Sequence, residues 1–547
     1  MQQFRGKGIG SGIAIGRIFF YEKKEDPVQR VSIEDPAAEI MRFETARAAA
    51  IEQLQQLRDK TLEEAGAENA AIFEAHRIML SDSDYNDSIR HIIRVEKVCA
   101  EYAVSATADH FAGMFADMAD DYLKARSADI RDISERIVRI LSGRGNDVSC
   151  LSEPVILAAE DLTPSETIAF DRSKLLAFVT HLGSADSHTA ILARTMHLPA
   201  VSGIAIDRSW NGRLAVVDGY SGTLSVDPDE TLLREMLQIR RRDEKRRTLL
   251  QQLKGRESIT KSGRKIRLCA NISGVKDISA ALENDAEGIG LLRSEFLYME
   301  SSNFPSEDTQ FQAYKTVLQK MEGRQVVIRT LDLGSDKQAS YFPLGKEDNP
   351  AMGYRAIRIC LDHPEIFKTQ LRALYRASAY GRLAILFPMI ISLEEVLQCK
   401  KYAAEVKEEL NNEKIPYSKD VELGIMIETP AAALISETLA NEVDFFSIGT
   451  NDLTQFTLAI DRCNARLEPL NDPRHPAVLE LIRMTIENGH KGGAWVGICG
   501  ELAADTNLTR TLIEYGADEL SVSPSLILPV RNEIIHMDCQ SLYPISS

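Results

Sequence analysis

Apolar positions along this chain change period several times, and the changes divide it. Residues 8–20, GIGSGIAIGRIFF, alternate small and apolar residues and predict a strand or bent hairpin. From about Glu34 to Leu141 apolar residues recur every third or fourth position among Ala, Glu and Arg, with breaks at Gly66 and Ser81–Asp84, which predicts an insert of about four helices. After Pro154 short apolar runs return: VILAA, LLAFV, LAVVD and TLSVD, closed by Asp227-Pro228. The helical block thus interrupts a β/α unit whose first strand precedes it. Residues 229–255 are densely charged with apolar positions every three or four, the pattern of a solvated linker helix joining two bodies that move relative to each other.

Eight apolar runs follow, each trailed by helical sequence: 266–271, 287–295, 325–332, 383–389, 422–428, 444–452, 494–501 and 518–523. That alternation predicts a (βα)8 TIM barrel, making the whole a multidomain α/β chain with an inserted α-helical bundle. Polar residues fall just behind the apolar centres of these runs: Asn271, Arg293 and Glu295, Arg329 and Asp332, Glu428, Asn451 and Asp452, Cys499 and Glu501. In such barrels the C-terminal strand ends build the active site, so these residues should converge.

Composition narrows the functional classes. The 547 residues exceed what one core serves, and 44% hydrophobic with 27% charged residues is ordinary for a globular protein. A net charge of −17 argues against nucleic-acid binding and permits a basic protein partner. The start MQQFRGKGIG lacks an apolar signal region and no run has bilayer length, so a cytoplasmic protein without membrane spans is expected. Eight scattered cysteines form no CxxC pair, the pattern of reduced thiols.

The chemistry centres on THLGSADSHTAILARTMHLPAV, residues 180–201. A Gly/Ser/Asp loop delivers Ser187, His188 and Thr189 to the first turn of a predicted helix, Ser187–Met196, where backbone N–H groups and the helix dipole favour an anion. His188 there is a candidate phosphoryl-carrying nucleophile; a histidine so placed also serves as a cap or a packed surface residue. In the barrel set, Glu428 and Asp452 are hard oxygen ligands suited to Mg2+, and Arg293, Arg329 and Arg462 are forks matched to phosphate and carboxylate. They specify a small, densely anionic, metal-bound substrate. Phosphoryl transfer needs such positioning plus a nucleophile, which no barrel residue offers and His188 does. Cys499 is either core filler or a thiol that gives and takes a proton.

SHTAILARTMHLPAV (187–201), GIGLLRSEFLYM (288–299), VIRTLDLGSDK (327–337), NPAMGYRAIRI (349–359), GIMIETPAA (424–432), FFSIGTNDLTQFTLAIDR (445–462) and WVGICGELAAD (495–505) closely resemble the enzyme I family of the bacterial sugar phosphotransferase system, among the phosphoenolpyruvate-utilising enzymes. The resemblance runs over nearly the whole chain. It implies a swivelling phosphohistidine domain at 1–228, with an insert at about 34–143 that docks the carrier protein HPr. A linker helix at 229–260 and a barrel at 261–547, binding phosphoenolpyruvate and forming a homodimer, would follow. It further implies that His188 accepts the phosphoryl group through Nε2, and that Arg293, Arg329, Arg462, Asn451 and Asp452 bind phosphoenolpyruvate with Arg355 nearby. Glu428 and Asp452 would hold Mg2+, and Cys499 would protonate the enolate to give pyruvate. Ser184, Ala185 and Asp186 depart from the family's GGRTSHT, as Ser335 and Ala504 depart from glycines; these changes bear on rate and loop motion more than on reaction type. Two related readings are a regulatory, nitrogen-type phosphotransferase, which would bring an N-terminal sensory domain, and a phosphoenolpyruvate synthase or dikinase, which needs a nucleotide-binding domain. Neither addition is expected here.

Overall fold

The computed structural model describes the chain apart from residues 11, 22–27, 66, 117–120, 144–150, 152, 161, 163–169, 182–197, 300, 302, 336–340, 343, 346, 463, 465 and 539–547, and apart from some side chains near residues 60–71, 116–128 and 468. His188, its neighbours Ser184, Ala185 and Asp186, and the helix predicted over Ser187–Met196 therefore lie outside the described residues. The chain divides into two compact units, Met1–Arg247 and Thr248–Ser547.

In the first unit the strands are β1 (Gln2–Arg5), β2 (Lys7–Gly10), β3 (Ile13–Tyr21), β4 (Val155–Ala159), β5 (Leu175–Thr180), β6 (Ala200–Ser202), β7 (Leu214–Asp218) and β8 (Thr223–Val226). They form one sheet in the order β1-β8-β7-β3-β4-β5-β6-β2. β3 pairs in parallel with β4 although the helical insert lies between them, so the β/α unit is interrupted as its sequence predicts. Ile18, Ile156, Val179, Val217 and Leu224 form a core on this sheet.

The insert comprises α1 (Pro36–Ala65), α2 (Ala67–Ser81), α3 (Ser83–Glu96), α4 (Ala100–Ala116) and α5 (Asp121–Leu141). Its core is Phe43, Leu54, Phe73, Ile89, Val104 and Ile133. The Ser81–Asp84 break is a helix start: Asp82 is the N-cap of α3, its side chain accepting from the Tyr85 backbone N–H. A buried His76 on α2 lies between two buried carboxylates of α5, Asp129 at 3.3 Å and Asp132 at 3.6 Å. After the sheet comes α6 (Glu230–Gln251), a helix with no buried residue.

The second unit is a closed barrel of eight parallel strands: β9 (Arg267–Ile272), β10 (Ile289–Arg293), β11 (Val326–Arg329), β12 (Leu383–Phe387), β13 (Glu422–Ile427), β14 (Phe445–Gly449), β15 (Trp495–Cys499) and β16 (Glu519–Val522). Each answers one predicted apolar run. Strands covered on both faces carry apolar residues almost without break, which is why they stand out in sequence. The interior is filled by Leu291, Val327, Leu386, Met426 and Phe445. At the N-terminal strand ends the Arg267 guanidinium lies 3.9 Å over the Trp495 ring, which stacks on Phe445 at 4.5 Å. Trp495 Nε1 donates to Glu422 at 2.9 Å, and Gln325 donates to the same carboxylate at 2.8 Å. Gly424 makes room for this stack, since a Cβ there would sit 2.5 Å from the Phe445 ring.

Among the described residues, no helix is long and apolar enough to cross a membrane, and Cys99, Cys269, Cys360, Cys399 and Cys499 are free, buried thiols.

Arg531, on the helix Ile527–His536, ties the start of this unit to its last described helix. It is fully buried, forms an ion pair with Asp285, and donates to the Asp285 carbonyl at 2.7 Å, Ser258 Oγ at 3.2 Å and the Leu253 carbonyl at 3.3 Å. Removing one partner of such a network strands the others without water. Arg531→Met should therefore lower the unfolding free energy by about 3 kcal/mol in urea titration, and a loss under about 1 kcal/mol would show that the clamp is dispensable.

Candidate active site at the barrel mouth

The residues anticipated at the strand ends converge on the C-terminal mouth of the barrel. Arg329 ends β11 almost fully buried, ion-paired with Glu295 and with Asp332, the latter at 2.8 Å. Asp332 also accepts from Arg355 Nη2 at 2.9 Å. One buried carboxylate thus links two guanidinium groups and fixes both. Arg293, at the end of β10, is exposed toward the mouth, and Arg462 is 40% exposed and 3.4 Å from Asp452.

Glu428 follows β13 directly and is buried; its Oε1 accepts from the Met389 backbone N–H at 2.7 Å. Asn451 and Asp452 occupy the first turn of the helix Thr450–Leu458, immediately after β14. The ends of β14 and β15 are tied twice: Thr450 Oγ1 donates to the Cys499 carbonyl at 3.0 Å, and Glu501 N–H donates to Asn451 Oδ1 at 3.1 Å. Gly500, at φ +99°, permits this close approach, because a Cβ there would lie 2.4 Å from Thr450 Oγ1. With Oδ1 engaged, the Asn451 amide N–H2 is the half of the group left to meet a ligand. Asn271 pairs with Ser521, donating to its carbonyl at 2.9 Å and accepting from its Oγ at 2.6 Å.

Electrostatics follow from this crowding. Burial pushes the Glu428 carboxyl up to about 8, with the negative charges of Asp452 and Asp332 adding to the rise and Arg329 opposing it. Burial likewise pushes the Cys499 thiol up to about 11, against Ser447, Arg329 and Arg293. Opposed and crowded carboxylates of this kind suit a divalent cation. Among the described residues no cluster of three or more His, Cys, Asp or Glu side chains is placed to hold a metal.

Three further features escape sequence reading. Ser447 Oγ lies 3.5 Å from Cys499 Sγ, and Arg329 Nη1 lies 3.8 Å from Met426 Sδ. Ala356, beside Arg355, and Met389, which donates to Glu428, adopt positive φ of 53° and 57°. A Cβ makes that conformation costly, and such strain persists where surrounding contacts over-determine it. Only the polar run ends signalled the site in sequence; these inward and backbone features carry no composition signal.

Family comparison agrees with this geometry. Models of phosphoenolpyruvate-utilising enzymes match three stretches: the N-terminal domain at residues 5–126, the mobile domain at 151–222 and the PEP-binding domain at 247–539. The phosphoenolpyruvate-protein phosphotransferase of Bacillus subtilis is 43% identical over 99% of this chain and 95% of its own length. The proteins of that name from Geobacillus stearothermophilus and Haemophilus influenzae are 44% and 42% identical, each over 97% of this chain and over 92% and 93% of their own lengths.

The chain belongs to the phosphoenolpyruvate-protein phosphotransferase family.

Membership makes it a transferase built from N-terminal, mobile phosphohistidine and PEP-binding parts, with the barrel as the last of these. For a phosphotransferase, the raised Glu428 carboxyl has a cost when no cation is present. The fold prefers its protonated form, so its contribution to stability is complete below about pH 4.5 and lost as pH rises through about 8. In chelator, Glu428→Gln should melt a few degrees above the parent at pH 8 and level with it near pH 5. A difference independent of pH in calorimetric scans would sink this account of the carboxyl.

Proposed function

We propose that the chain takes a phosphoryl group from phosphoenolpyruvate onto Nε2 of His188, with Mg2+ held by Glu428 and Asp452, releases pyruvate, and passes the group to the carrier protein HPr as the first step of sugar uptake. The observation that carries this reading is the convergence of Arg329, Arg355, Glu428, Asp452 and Cys499 on one barrel mouth. Residues 1–228 would be the phosphohistidine domain, with the insert at about 34–143 docking HPr. The linker helix at 229–260 would let His188 swing, and the barrel at 261–547 would form a homodimer. A cytoplasmic enzyme with no nucleic-acid or membrane partner is part of the same reading.

The chemistry follows from the side chains. Arg329, locked by Glu295 and Asp332, presents its guanidinium without reorganisation, and Arg293 and Arg462 offer further forks at the rim. Asn451 adds an amide donor, and Asp452 steadies Arg462. When bound, Mg2+ neutralises charge on the phosphoryl oxygens. The Nε2 lone pair of His188 forms the N–P bond as the bond from phosphorus to the enol oxygen breaks. The departing enolate then closes its C2 carbonyl while C3 takes the S–H proton of Cys499. A thiol raised to about 11 keeps its proton at neutral pH, which suits a proton donor and not a phosphoryl acceptor.

Incubation with phosphoenolpyruvate and Mg2+ should give pyruvate and an acid-labile phosphoryl adduct in equal amounts. His188→Ala should form no adduct; a variant labelled like the parent would refute the assignment. Cys499→Ala should keep the fold and slow pyruvate release by about a hundredfold, the scale of a general acid. Full speed in that variant would remove the thiol from the reaction.

A further inference from the structure

We infer that Ser447 is a positioning residue for this reaction: its hydroxyl orients the Cys499 sulfur and holds the thiolate that remains once the proton has gone. The inference rests on the reading of Cys499 as proton donor.

The register of β14 and β15 brings the two side chains together. Ser447 pairs with Gly497, and Cys499 pairs with Gly449. Each therefore faces a residue without a side chain, and the two meet diagonally on the inward face. Around them the interior is apolar, lined by Leu291, Leu386, Met426 and Phe445. A buried hydroxyl in such surroundings needs a partner, and Ser447 Oγ donates to Cys499 Sγ at 3.5 Å. The thiol in turn donates to the Ile448 carbonyl at 3.4 Å. The sulfur is thus held from two sides, its acceptor direction fixed by Ser447 and its proton parked on a carbonyl it can leave.

Proton delivery breaks the S–H bond and forms a C–H bond at C3 of the enolate, with the enolate electron pair making the new bond and the sulfur keeping the old one. Negative charge then sits on a buried sulfur. Glu428 opposes it, while Arg329 and Arg293 favour it. Ser447 is the neutral donor already in contact. A hydrogen bond to an anionic acceptor is stronger than one to a neutral thiol, so this contact tightens as the proton leaves. An interaction that grows along the reaction raises turnover and leaves substrate affinity alone.

A double-variant cycle tests this. Pyruvate release by Ser447→Ala should be about tenfold slower with KM for phosphoenolpyruvate within about a factor of two of the parent, while Ser447→Thr regains most of the rate. Because Ser447 acts through the sulfur, adding Ser447→Ala to Cys499→Ala should slow that variant no further. A further loss in the double variant would mean a merely structural role and overturn the inference. So would a parent-like rate in Ser447→Ala while Cys499→Ala is slow. Full rate in Cys499→Ala would instead overturn the proton-donor reading, and this inference with it. Should Ser447→Ala fail to fold, Ser447→Thr and Ser447→Val, matched in shape and differing in the hydroxyl, decide the point: equal rates overturn it, and a slower valine variant upholds it.

Discussion

Charge placed where water is scarce governs the mouth of this barrel. Glu295, Asp332 and Glu428 are buried within reach of one another, and an unpaired carboxylate in such a place would take up a proton or open the structure to solvent. Arg329 pairs with the first two, and Asp332 extends the arrangement to Arg355. Glu428 is left with a backbone N–H and a share of Arg329, and burial together with the charges of Asp452 and Asp332 raises its carboxyl. Stability and readiness for a cation are therefore two faces of one balance. Positive φ at Ala356 and Met389 lies beside the same groups, so the backbone bends to hold the charges.

Much of this was legible in the residues. Barrel strands are buried on both faces and read as unbroken apolar runs, and Arg329, Glu428, Asp452 and Cys499 stood out because polar groups interrupt those runs at one end. The insert was legible as helical, although about four helices are expected where five are described, and its Ser81–Asp84 break is the cap of α3. Other features were not. β6 is three residues long and β1, QQFR, has no apolar alternation, so neither carries a period. Ser447 reads as an ordinary strand residue, and only the pairing of β14 with β15 reveals that it meets Cys499. The Met389 N–H that holds Glu428 comes from a neighbouring strand's end and leaves no trace in side-chain chemistry. Each omission has the same origin: pattern along a chain reports which face a residue takes, not who stands opposite.

The two units divide the labour differently. In the first, the sheet is assembled from distant segments around an inserted bundle, whose interior buries His76 between two carboxylates. In the second, a single barrel sets hydrocarbon between polar groups at its two ends, with the candidate site at one of them. The contrast fits a part that must carry a group and a part that must hold a substrate still.

The stacked Arg267, Trp495 and Phe445 at the opposite end divide each strand by task. Lower ends hold the cylinder together, and the upper ends are thereby left free to vary in what they bind. A change of residue below is felt as looser closure, and one above as altered chemistry.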